Sequence, residues 1–152
     1  MERAQYLQLK FGGPERAQRI YASIAAAGAD EGIPFAFDKI RRAPNTVASH
    51  RLIRWAAGQN AQNAVVERLF SRYFIDGDDI GEHGVLAEVA AECGMDPVLT
   101  RTLLDRGDDL DVVKAEEQVA RRMGINGVPC FIIDRKYAVS GAQDPAVLLQ
   151  VF

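Results

Sequence analysis

Cysteine is scarce in this chain of 152 residues, which holds two, Cys93 and Cys130, too far apart to form a Cys-x-x-Cys redox or zinc motif. The two histidines, His50 and His83, lie at spacings unrelated to those cysteines, so the sequence writes no metal-ligand pattern. Hydrophobic runs are short. The longest is the alanine-rich patch around Ile24 to Ala27, and nothing approaches the roughly 20 apolar residues that cross a bilayer. No secretory leader is expected, because Met1-Glu2-Arg3-Ala4-Gln5 opens into a mixed, charged segment. A cytoplasmic location is therefore the default expectation. Basic excess is also lacking. A formal net charge of −3 leaves no electrostatic footprint for nucleic acid, whose phosphates need clustered Lys and Arg. The one basic cluster, Lys39, Arg41 and Arg42 with Arg51 and Arg54 beyond, reads as solvated surface.

What is present is enough apolar material, 48% of residues, for a real core in one globular chain. Gly12-Gly13-Pro14 breaks the start of the chain from a helix whose first turn can hold Pro14, with Ala17, Ile20, Tyr21 and Ile24 at helical spacing and a stop near Gly32. The short stretch Ile33-Pro34-Phe35-Ala36-Phe37 predicts an extended connection or edge strand. Asn45 is a natural N-cap for a helix with Val47, His50, Leu52, Ile53, Trp55 and Ala56 on its apolar face. Further helices are expected at about 61–74, at about 85–93, from 97 on, and at about 110–123. Gly94 stops the second of these, and Asp96-Pro97 opens the third with Val98, Leu99, Leu103 and Leu104 inward. Trp55, Phe70, Tyr73 and Phe74 are expected in the core.

The period then changes. Cys130-Phe131-Ile132-Ile133 and Tyr137-Ala138-Val139-Ser140, joined by Asp134-Arg135-Lys136, predict a β-hairpin, and Asp144-Pro145 opens a closing helix. A two-stranded hairpin with one helix is too small to stand alone. Either the helical block covers it, another chain completes the sheet, or further strands belong to it. The proline before the first strand cannot donate to a ladder, which suits a strand's first residue or an edge.

A helical block, then "MGINGVPCFIID", then "YAVSGAQDPAVLLQ" resembles the C-terminal part of the DsbA-like thiol-disulfide oxidoreductases, in particular the FrnE-type branch. "FDKIRRAPNTVASHRLIRWA" and "LFSRYFIDGDDIGEHGVLAEVA" are similar to that family as well. The resemblance implies an α/β, thioredoxin-like fold of DsbA type with a large all-helical insertion. Residues 1–44 would be a helix and linker, 45–123 the insertion, and 124–152 the ββα part. Members begin with a βαβ unit carrying Cys-x-x-Cys at a helix N-terminus, and by comparison this chain starts after that unit. Val128-Pro129 is similar to the family's cis-proline loop, which offers its backbone to an extended substrate.

The resemblance implies substrate contacts at Gly127, Val128 and Pro129. His50, on its apolar face, could approach the cleft as an acid or base, or pack as an ordinary hydrogen-bonded histidine. Cys130 is the nearest candidate for thiol chemistry, against a simpler role as a small core residue. Three functions follow as expectations. One is disulfide exchange with a protein or peptide thiol, incomplete without Cys-x-x-Cys and needing no cofactor. Another is a glutathione-dependent isomerase similar to the 2-hydroxychromene-2-carboxylate isomerases. The third is a non-catalytic scaffold whose exposed edges pair two copies as a homodimer or higher oligomer. No metal, nucleic acid or membrane partner is expected.

Overall fold

The computed structural model describes residues 1–134 and 136–150. They form two compact units, Met1–Leu110 and the remainder from Asp111.

The first unit is helical. α1 (Arg3–Phe11) and α2 (Pro14–Asp30) are separated at Gly12 and Gly13, whose φ values of 76° and 145° only glycine adopts readily, and Pro14 occupies the first turn of α2 as expected. The backbone N–H of Arg3 donates to the carbonyl of Arg41, fixing the start of α1 to the 41–43 segment. α3 (Val47–Ala57), α4 (Gln62–Ser71), α5 (His83–Glu92) and α6 (Pro97–Arg106) surround the core of Leu52, Ala56, Val65, Leu69, Leu86, Val89, Ala90, Met95 and Leu104. Of two caps read from sequence, that at Asp96 is in place, while the N-cap of α3 is Thr46, one residue after Asn45, whose side chain still holds the helix start. Asn45 Oδ1 accepts from the N–H of Val47 at 3.0 Å, and Asp96 Oδ1 from Val98 and Leu99 at 2.8 and 3.0 Å.

The expected helix over 61–74 changes character. α4 stops at Ser71 and a π turn, Arg72–Asp76, carries the chain to Gly77 at φ 86°. A Cβ at Gly77 would lie 2.9 Å from the backbone carbonyl of Lys39, so the turn closes against a neighbour that only glycine admits. Phe11, Tyr21, Phe37, Phe35, Phe74, Phe70 and Tyr73 form a continuous chain of ring contacts from the end of α1 through α2 and the 33–37 connection to this turn.

Several side chains depart from expectation. Arg51 is not solvated surface but 3% exposed. Its guanidinium donates to the carbonyls of Asp108 (2.5 Å), Leu103 (2.6 Å) and Leu104 (3.3 Å) where α6 ends, the last two also accepting backbone N–H groups of the helix stop. It also lies over the Trp55 ring at 5.2 Å, while Trp55 Nε1 donates to Asp109 Oδ2 at 2.8 Å. Burial lowers the Arg51 pKa from its ordinary value, and Asp108 and Asp109 oppose that shift. Phe70 is 56% exposed instead of core, and Val98 and Leu99 face solvent while Thr100 and Leu104 take the interior of α6. Among the described residues no helix is long and apolar enough to cross a membrane.

The second unit contains α7 (Leu110–Arg122, which begins at the boundary), β1 (Cys130–Ile133), β2 (Tyr137–Ser140) and α8 (Pro145–Leu148). The strands pair antiparallel with Cys130 opposite Ser140 and Ile133 opposite Tyr137. Asp144 caps α8 through a 2.8 Å bond from the N–H of Ala146.

Candidate functional site

The loop between α7 and β1 is set by the way α7 ends. Gly124, at φ 80°, donates its N–H to the carbonyl of Arg121, and Ile125 donates to Ala120. Those paired bonds are a Schellman stop, which turns the chain sharply off the helix. Asn126 Nδ2 then donates to the carbonyl of Gly124 at 3.1 Å, holding the turn that delivers Gly127, Val128 and Pro129.

The Val128–Pro129 peptide bond is cis. Val128 is 92% exposed, unusual for a large aliphatic side chain, and a Cβ at Gly127 would meet only open space. The carbonyl of Pro129 accepts from the N–H of Gly141 at 2.8 Å. That bond extends the hairpin by one residue and sets its parity. Hydrogen-bonded pairs alternate along an antiparallel ladder, so the Pro129 carbonyl and the amide groups of Phe131 and Ile133 point toward β2. The amide groups of Cys130 and Ile132 turn to the other edge. Among the described residues the sheet has two strands, so that edge has no partner.

The structure thus brings Gly127, Val128, Pro129 and Cys130 together as one exposed loop running into a free strand edge. Cys130 is a free thiol of intermediate exposure, opposite Ser140. His50 belongs to the other unit, on α3, and its side chain is exposed, which corrects the packed, apolar-face reading. The helix turns its neighbours Ser49 and Arg51 inward, with Ser49 Oγ donating to the carbonyl of Ile80 at 2.6 Å. Cys93, the second free thiol, is half-buried, and burial together with the adjacent Glu92 raises its pKa from the ordinary thiol value. Among the described residues no group of three or more His, Cys, Asp and Glu side chains could hold a metal ion.

What sequence reading missed is the parity of the edge. Alternation along CFII says which side chains share a face. Which amide groups face outward depends on the partner strand, and only the Gly141–Pro129 bond fixes that.

A probable DsbA oxidoreductase from Streptomyces coelicolor has a crystal structure similar to this one, with a TM-score of 0.87 and 29% identity over 99% of this chain. The chain spans 65% of that protein's length. A comparison with curated proteins returns no match. A helical block followed by a loop with an exposed residue before a cis proline, a hairpin and a closing helix agrees with the family whose pattern matches residues 3–152, and the chain belongs to the DSBA-like thioredoxin domain family.

Proposed function

We propose that this chain is the substrate-receiving part of a thiol-disulfide oxidoreductase of the FrnE-type branch, with the redox dithiol supplied by residues other than these 152. The observation that carries the reading is the outward line of amide groups at Cys130 and Ile132, preceded by an exposed Val128. An extended peptide bearing a thiol or disulfide would add to that edge as a further strand, main chain to main chain. The exchange itself needs a thiolate to attack one sulfur of a disulfide and a second thiol to resolve the mixed disulfide. Cys93 and Cys130 are each alone in sequence, so the 152 residues hold no resolving pair of Cys-x-x-Cys type.

Glutathione is itself a short extended peptide and would compete for the same edge. The isomerase reading rests on that competition. A second copy pairing through the free edge would give the homodimer. In either case the compartment is proposed to be the cytoplasm.

The test is binding and turnover measured together. An extended cysteine-containing peptide titrated into the chain should perturb the amide resonances of 127–132. Val128→Pro, which removes the N–H of the exposed residue before the cis proline, should weaken binding several-fold, the scale of one lost hydrogen bond. The chain alone should not reduce a peptide disulfide. Robust turnover abolished by Cys130→Ala would overturn the placement of the dithiol elsewhere. Calorimetry with millimolar glutathione separates the isomerase reading, which is lost if no heat appears. Light scattering across concentrations does the same for the dimer, which is lost if the chain stays monomeric.

A further inference from the structure

The first unit contains a cleft unrelated to the loop described above. Its volume is about 490 Å³, within the range of about 300–1,000 Å³ typical of small-molecule sites. The extended connection supplies Ile33, Pro34 and Phe35 on one side, and the end of α4 with its π turn supplies Glu67, Phe70 and Phe74 on the other.

The rings are organised by the backbone beneath them. Phe74 meets Phe35 edge-on, with centroids 5.6 Å apart at 74°, and lies nearly parallel to Phe70 at 6.1 Å and 29°. Its own carbonyl accepts from the N–H of Ala36 at 2.8 Å, which ties the π turn to the connection across the cleft. Gly28 of α2 makes room for Phe35, since a Cβ there would come within 2.4 Å of the ring. Phe70, although part of the aromatic chain, leaves more than half its surface in water.

Charge distinguishes this cleft from a plain apolar dent. The acids beyond α4 are taken by arginines. Arg68 pairs with Asp76 and Glu92, and Arg72 with Asp78, Glu88 and Glu92. The Lys39 ammonium donates to the carbonyl of Ile75, and Arg68 also donates to Ser71 Oγ. Glu67 lines the cleft and, among the described residues, has neither an ion-pair nor a hydrogen-bond partner. The cleft thus combines three phenyl rings, whose faces carry negative potential, with one uncompensated carboxylate at an exposed position.

We propose that this cleft binds a small organic cation: an N-alkylated ammonium group on an apolar, preferably aromatic, body. The rings accept the alkylated cation and the body, and Glu67 supplies the counter-charge. A neutral aromatic molecule gains only the apolar part, and an anion is repelled by both features.

The probe is benzyltrimethylammonium chloride titrated into the full chain, followed by proton NMR of its N-methyl groups and by amide shifts of the protein. Saturable upfield movement of the methyl signal and shifts confined to 32–35 and 67–75 are expected. Benzyl alcohol should bind more weakly. Glu67→Gln and Phe70→Ala should each weaken the cation about two- to fivefold, the scale of an exposed cation–aromatic contact. Both side chains are exposed, so both variants should keep the parent's circular dichroism and melting midpoint. Absence of saturable shifts up to probe concentrations on the order of 10 mM, where even a millimolar site would fill, overturns the proposal. So does cation binding that neither substitution alters. Equal affinity for benzyl alcohol, with no effect of Glu67→Gln, reduces the cleft to an apolar depression and likewise overturns it.

Discussion

Replacing Arg51 by methionine tests the least expected element of the helical unit. The side chain is buried and reaches three carbonyls at the end of α6, with Nε on Asp108, and Nη1 and Nη2 on Leu103 and Leu104. Methionine keeps the unbranched stem and its packing beneath Trp55 but removes every donor. Hydrogen bonds to a charged group contribute about 1.5–3 kcal/mol each when taken singly, and three to one guanidinium do not add in full. Removing the charge also removes its desolvation cost, which offsets part of the loss. A net destabilisation of about 3 kcal/mol is expected from the loss of these charged hydrogen bonds, although Leu103 and Leu104 keep their backbone donors, out of the roughly 5–15 kcal/mol that holds a domain folded. At a urea dependence of about 2 kcal/mol per molar, the unfolding midpoint should fall by ~1.5 M. Trp55 is the only tryptophan and sits over Arg51, so its fluorescence reports the same locality, while far-UV circular dichroism reports the helices. Arg51→Lys should recover only part of the loss, because an ammonium cannot fork to three acceptors. A methionine variant within about 1 kcal/mol of the parent by both probes would refute the argument that these bonds close α6.

Gly77→Ala should cost at least about 2 kcal/mol, combining left-handed strain with a Cβ pressed on the Lys39 backbone, and thermal unfolding checks it. A cost of only a few tenths, as at an ordinary exposed site, would contradict the close approach. Hydrogen bonds from His83 and then Arg101 hold the Asp105 carboxyl below the usual carboxylate range. A carboxyl depressed in the folded state contributes stability above its unfolded pKa and loses it as pH falls through the folded one. Asp105→Asn should therefore flatten the acid side of the stability profile below about pH 4 while leaving its shape at neutral pH unchanged, and urea titrations at stepped pH would show an unaltered acid limb if the pairing were immaterial.

Local chemistry made much of the architecture readable in advance. Asp96-Pro97 and Asp144-Pro145 each place an accepting side chain and a donor-free residue where a helix must begin, and both caps form. The hairpin is legible because CFII and YAVS are short runs rich in β-branched and aromatic residues on either side of a turn. α1 was not legible. Its N-cap residue Glu2 makes no side-chain bond, no residue of the helix is buried, and its anchor is a backbone contact to Arg41. The π turn was hidden because Arg72 to Asp76 continue a helical pattern, and only the docking of Ala36 on the Phe74 carbonyl marks the change. Arg51 was misread because residue type says surface, while its acceptors lie more than fifty positions away. At the loop, Asn126-Gly127 and Pro129 announced a turn and a strand start. The outward line of amide groups came from pairing with β2, a relation between segments that no single segment encodes.

The four-residue strands of the hairpin carry one further implication. A ribbon this short has little stability of its own, and half of its amide groups are exposed to exchange with solvent water. Anything that lays a strand along the free edge adds its binding free energy to the ordering of β1 and β2, by RT ln(1 + [L]/Kd). Occupancy of the edge and protection of the hairpin are then a single equilibrium observed from two sides. The amides of Cys130 and Ile132 become slow to exchange deuterium when the edge is filled, and their exchange rates serve as a gauge of how much of the protein is engaged.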